Sequence, residues 1–153
     1  MIEKRRERKD QHIENYLKSQ SLTNNLLEDI YIEHKALSDI AIDEIDTSIE
    51  FLGRRIAMPI MVNAMTGGGE AGADINEDLS SICESLNIPM AVGSEAIAID
   101  DEESRESFTL LKDKDLIKVG NLGSERSIED FTFAADLIGA DIMQVHLNMA
   151  QEL

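Results

Sequence analysis

The chain has 153 residues, 31 acidic against 14 basic, and a formal net charge of −17. Its 42% apolar and 29% charged residues are the balance of a folded globular protein, neither disordered nor membrane-embedded. The acidity argues against general nucleic-acid binding, because phosphates would be repelled. No apolar run of about 18 residues and no signal-peptide core can be read, so the expectation is a cytoplasmic protein with no membrane partner.

The chain opens on a concentrated basic segment, Lys4, Arg5, Arg6, Arg8 and Lys9, which holds five of the fourteen basic residues. Such a segment on an acidic protein suits a small polyanion such as a diphosphate; its other reading is a solvated terminal helix. Residues 3–19 are expected to be helical, with Ile13, Tyr16 and Leu17 as a short apolar face and His12 one turn after Arg8. From Ser21 to Asp46 no single period holds, and irregular packing is expected. Ile49–Leu52 and Arg55–Met58 flank Gly53 as a hairpin.

The stretch Pro59 to Gly69, PIMVNAMTGGG, reads as a short buried strand closed by a turn. Its glycines allow close backbone approach to a ligand, or simply make a βα turn. Gly72–Leu86 carries Ile75, Leu79, Ile82, Cys83 and Leu86 on one helical face, stopped by Asn87 and Pro89. The single cysteine, Cys83, is therefore expected in the core. Met90–Gly93 is a strand. Asp100-Asp101 can start the next helix, with Phe108 and Leu111 inward. Leu116–Val119 is a third strand. Ser127 and Asp130 form a capping-box-like pair for a helix with Ile128, Phe131, Ala134, Ala135 and Ile138 inward, closed by Gly139. Ile142–Leu147 is a fourth strand. The methionines Met58, Met61 and Met90 are expected in the core, and Met65 in a site.

One regularity decides the architecture. A valine followed by a small or polar residue recurs at each strand exit: Val62-Asn63, Val92-Gly93, Val119-Gly120 and Val145-His146, at intervals of 26 to 30 residues. Each interval holds one strand and one crossover helix, which makes a parallel sheet. Asn63, Thr66, Ser94, Asn121, His146 and Asn148 then gather at one mouth. The expected fold class is α/β: the first four strands of a (β/α)8 TIM barrel, over 59–153, behind a helix-and-hairpin extension over 1–58. A doubly wound open sheet is the alternative. Four strands are half a barrel, and the fourth would be left as an open edge.

Five motifs in this order, R-K-x-x-H (Arg8, Lys9, His12), A-M-T-G-G (Ala64 to Gly68), V-G-S (Val92 to Ser94), N-L-G (Asn121 to Gly123) and H-x-N-x-x-Q-E (His146 to Glu152), resemble the N-terminal part of type II isopentenyl-diphosphate isomerase. The resemblance covers essentially the whole chain. It implies a barrel flavoenzyme that interconverts isopentenyl and dimethylallyl diphosphate, using reduced FMN, a divalent metal such as Mg2+, and NADPH as flavin reductant. It also implies homo-oligomers of the full-length enzyme. By this resemblance Arg8, Lys9 and His12 bind the diphosphate, where a planar fork and a point charge suit phosphate oxygens. Ala64, Met65, Thr66, Ser94 and Asn121 contact FMN. His146, Asn148 and Gln151 contact the substrate, and Glu152 is the metal ligand.

Other readings of these residues stand beside it: a hydrogen-bonded core histidine for His146, solvated positions for Gln151 and Glu152, a solvated loop for Asp100–Glu103. One position departs from the pattern: Glu95 follows Gly93-Ser94 where the family commonly carries Gln, and a carboxylate sits uneasily near a diphosphate. Two further functions remain in play. One is a non-catalytic half-barrel that self-associates. The other is a different FMN barrel enzyme such as a hydroxy-acid oxidase, against which the basic segment and the Gln-Glu pair argue.

Overall fold

A computed structural model describes residues 7, 11, 13–19, 27–37 and 39–147. Residues 13–18 are helical, and short 3-10 turns at Leu27–Asp29 and Ile42–Glu44 interrupt an otherwise irregular stretch. Strands β1 (Ile49–Phe51) and β2 (Arg54–Ile56) pair antiparallel. Their turn is Leu52-Gly53, both at positive φ, the geometry that matches the twist of a tight hairpin. The hairpin is tied to the body by hydrogen bonds of the Asn87 side chain to the Arg55 carbonyl and of the Ala57 N–H to the Asn87 carbonyl.

The central sheet is parallel, in the order β3 (Met90–Ala91), β4 (Lys118–Gly123), β5 (Ile142–His146). The Pro59–Gly69 stretch contributes a single bridge, Val62 against Met90, rather than a full strand. Among the described residues only one side of it is paired, and Ile60 and Met61 are exposed. The order Val62, β3, β4, β5 is the chain order, as successive strand–helix units require. At the opposite side β5 pairs only with β4 among the described residues, and Val145 and Leu147 are exposed there. The described sheet is open and does not close into a barrel.

Helix α1 (Glu70–Leu86) ends at Asn87 in the left-handed conformation, as Asn87 and Pro89 predict. Its buried face follows the apolar stripe only in part. Gly72, Asn76, Ser80 and Cys83 are buried, while Ile82 and Leu86 are half exposed and Leu79 packs at the core margin. The reason is closeness. A Cβ on Gly72 would lie 3.1 Å from the backbone of Gly67, so only small residues fit where α1 meets the glycine turn.

The next helical segment begins earlier than Asp100. Helix α2 (Ala96–Asp100) ends there, and Glu103–Arg105 and α3 (Glu106–Thr109) follow. Asp101 instead accepts from the Ser104 hydroxyl, and Asp100 holds Arg126. Phe108 and Leu111 are fully buried as expected. Strand β4 starts and ends later than 116–119. Helix α4 (Ile128–Ile138) has the predicted capping box of Ser127 and Asp130 and closes on left-handed Gly139. Ala134 and Ile138 point inward, but Ile128, in the first turn, is 81% exposed.

The core gathers Cys83, Met90, Val92, Ile97, Phe108, Leu111, Leu116 and Ile138 between sheet and helices. Burial pushes the Cys83 thiol pKa up, so it stays protonated and acts as a small core hydrophobe. At the start of β4, Lys118 is buried, its ammonium held by the carbonyls of Leu111, Lys112 and Lys114 at 2.8–3.3 Å. No described helix is long and apolar enough to cross a membrane.

Candidate functional site

The carboxyl ends of the strands are joined by a row of hydrogen bonds. The Gly93 N–H donates to the Thr66 carbonyl at 2.8 Å. Two residues on, the Glu95 N–H donates to the Asn121 carbonyl at 2.9 Å, and the Asn121 N–H returns to Glu95 Oε1 at 3.0 Å. Asn121 Oδ1 lies 2.7 Å from His146 Nδ1. The Asn121 amide also donates to Gln144, at 3.4 Å. The exits of β3, β4 and β5 and the segment after the Val62 bridge thus meet at one mouth, as the valine-then-small repeat predicts. The Asn121 amide oriented this way turns its Oδ1 toward His146 Nδ1.

The small residues of the repeat have a physical cause. A Cβ on Gly93 would lie 2.7 Å from the Thr66 carbonyl oxygen, and one on Gly120 would strike Met143 Sδ and Glu95 Oε1. Glycine here lets neighbouring exits approach. The turn after Thr66 needs glycine as well. Gly67 and Gly68 have φ of +145° and +89°, and a Cβ added to either would lie 2.4 Å from Phe108 or Ile97 respectively.

Of the predicted site residues, the structure brings together Ala64, Met65, Thr66, Ser94, Asn121 and His146. Met65 is 64% exposed at the mouth and Thr66 is half-buried; Met61 is exposed rather than core. Ser94 accepts from the Ala96 N–H. Arg8, Lys9, His12, Asn148, Gln151 and Glu152 lie outside the described residues. Among the described residues no group of three His, Cys, Asp or Glu side chains could hold a metal ion.

Three residues escaped the sequence reading. Asn76 is fully buried in α1, where it accepts from the Thr66 hydroxyl and donates to the Ser107 carbonyl at 2.9 Å. Ser107 in turn receives the Gly68 N–H at 2.8 Å. Gln144 pairs with Asn121 across β4 and β5. The signal for Asn76 was the run of small or polar residues at 72, 76 and 80, beside the apolar stripe rather than in it.

Glu95, which departs from the family pattern, is buried with 0% exposure. Its Oε1 accepts from Asn121, and its Oε2 has no partner among the described residues. Burial drives its pKa up to about 8, against which the Asn121 N–H acts weakly, so the carboxyl is largely neutral at pH 7. A neutral carboxyl is close to a Gln amide in shape and charge, which removes the expected conflict with an anion nearby.

The polar groups gathered here suit the polar edge of a flavin ring: hydroxyls of Thr66 and Ser94, the Asn121 amide, and backbone at a glycine-rich turn. They do not supply a phosphate seat at the start of α1. The cleft there is lined by Glu70, Glu103 and Glu106, which repel an anion despite the helix N-terminus.

Comparison with known proteins gives a consistent answer. The family model of FMN-dependent dehydrogenases matches residues 14–108. An isopentenyl-diphosphate delta-isomerase of Bacillus pumilus is 38% identical over 152 residues, covering 97% of this chain and 43% of that protein. One from Pyrococcus horikoshii is 38% identical over 161 residues, covering 95% and 43%. One from Thermoplasma volcanium is 32% identical over 163 residues, covering 100% and 46%. The chain spans less than half the length of these curated relatives.

Proposed function

We infer the function from one premise: this chain belongs to the FMN-dependent dehydrogenase family. We propose that it forms part of an isomerase interconverting isopentenyl and dimethylallyl diphosphate. The observation that carries this reading is the hydrogen-bonded row from Thr66 through Gly93, Glu95 and Asn121 to His146, at the strand ends where such sheets bind ligands. The relatives named isopentenyl-diphosphate delta-isomerase support the choice of reaction.

In this proposal Ala64, Met65, Thr66, Ser94 and Asn121 hold the FMN ring. Arg8, Lys9 and His12 grip the diphosphate. His146, Asn148 and Gln151 orient the carbon chain, and Glu152 holds Mg2+ together with diphosphate oxygens. Reduced FMN supplies proton transfer at the alkene without net oxidation, and NADPH keeps it reduced. The division into an extension over 1–58 and a half-barrel over 59–153 belongs to this proposal, as do a cytoplasmic setting and homo-oligomers of the complete enzyme.

A second reading has one observation behind it. The exposed β5 edge, with Val145 and Leu147, could pair with a second copy and close two half-barrels. A −17 charge on each copy opposes that association.

The test is FMN titration of the purified chain, followed by visible absorbance. Perturbed flavin absorbance at micromolar to millimolar FMN is expected, with little isomerisation after adding dithionite and Mg2+, because the described sheet leaves the mouth open to water. A spectrum identical to free FMN at every concentration would overturn the flavin reading. A concentration-dependent dimer that never takes up flavin would favour the second reading.

A further inference from the structure

Thr66 belongs to the segment proposed to face the flavin, and its hydroxyl can in principle donate or accept. The structure removes that choice. The Ser107 carbonyl can only accept, so the nearby end of the Asn76 amide must be its nitrogen, 2.9 Å away. The same nitrogen lies 3.5 Å from the Thr66 carbonyl, again an acceptor. The other end of the amide, Oδ1, then faces the Thr66 hydroxyl. An amide oxygen cannot donate, so the Thr66 hydroxyl must. Its hydrogen is committed inward, to a fully buried partner. Turning the amide over would set oxygen against two carbonyls and leave a buried polar group unpaired.

Outward, Thr66 Oγ1 has only lone pairs left. A ligand group facing it is bound only if it brings a hydrogen. With flavin N5 as the facing atom, the oxidised ring would present an unprotonated acceptor and the reduced ring an N5–H donor. We propose that Asn76 is a positioning residue that fixes Thr66 as an acceptor-only contact, and that this contact makes the site favour reduced over oxidised FMN. The assignment rests on the flavin reading above for its outward half, and on the Asn76 hydrogen bonds alone for its inward half.

Two measurements test the halves separately. The first is the midpoint potential of FMN bound to the wild-type chain and to Thr66→Val, Thr66→Ser and Asn76→Leu, read spectroscopically. Bound FMN in the wild type is expected to be easier to reduce than free FMN. Thr66→Val and Asn76→Leu should weaken binding of the reduced form about tenfold more than the oxidised form, lowering the potential by about 30 mV for a two-electron couple. Thr66→Ser, which keeps the hydroxyl, should stay near wild type. Equal losses in both redox states, or Thr66→Val shifting the potential while Asn76→Leu does not, would overturn the proposal.

The second measurement needs no flavin. Thr66→Val preserves shape but takes the donor from Asn76, so its melting temperature should fall by several degrees while that of Thr66→Ser should not. An unchanged melting temperature for Thr66→Val would overturn the inward half. Absence of FMN binding by the wild type in either state would instead bring down the flavin reading and the redox preference together.

Discussion

Glu95→Gln should stabilise the protein by about 3 kcal/mol at pH 7 and by about 5 above pH 8, with little change near pH 4.5. The free carboxyl of an unfolded chain ionises near 4.5, whereas in the fold burial holds this one neutral to about pH 8. Between those values the folded state binds a proton that the unfolded state has lost. Stability therefore falls as pH rises from 4.5 to 8, and flattens once the folded form also ionises. A Gln side chain is neutral throughout and keeps the bond that Oε1 accepts from the Asn121 N–H. The acidic chain has a pH dependence of its own, so the decisive quantity is the difference between variant and wild type in urea denaturation from pH 5 to 9. Parallel profiles would show that Glu95 ionises normally and that its surroundings are wetter than its 0% exposure states.

Gly67→Ala is expected to cost about 2–4 kcal/mol and to loosen the turn that carries Thr66. Two effects add. At φ +145° an L residue is strained whatever the space around it, and the new methyl would lie 2.4 Å from Cε1 and Cζ of Phe108. Phe108 is fully buried in the core, so the ring cannot yield without disturbing the packing around it. The clash and the backbone strain can be separated by a double-mutant cycle. In a Phe108→Leu background the ring atoms are gone, and Gly67→Ala should cost less by about 1 kcal/mol or more, the strain alone remaining. Additive costs in denaturant melts would mean that the ring contact does not limit the site.

The parallel sheet was legible because a strand exit leaves a local mark. Val92-Gly93 and Val119-Gly120 must be small after the valine, since the Thr66 carbonyl and Met143 occupy the space a side chain would take. The caps at Asn87, Ser127 and Gly139 were legible for a similar reason, each being a local backbone requirement. The face of α1 was legible only in part. Periodicity reports where the apolar residues are, and of the stripe Ile75, Leu79, Ile82, Cys83 and Leu86, Cys83 is buried and Leu79 packs on the core. Which side meets the sheet was set instead by how closely Gly72 must approach Gly67, a contact between segments that no local pattern records. The start at Asp100 failed because acidic residues suit a helix beginning, while here Asp100 is held by Arg126, 26 residues away. Within the site, Thr66, Asn121 and His146 could be read from motifs. The neutrality of Glu95 could not, because it arises from the burial that surrounding strands and helices impose on a single letter.

Lys118 has a practical consequence. Lysines are ordinarily the side chains that amine-reactive reagents reach first, yet this ammonium is spent on three carbonyls at the blind end of β4. It should resist acylation for as long as the fold holds, while exposed Lys112 reacts first. The rate at which Lys118 becomes labelled, read by mass spectrometry against denaturant, would then time the opening of the sheet from inside it. A Lys118 that labels as fast as Lys112 in native buffer would mean that the base of β4 opens without the rest of the protein unfolding.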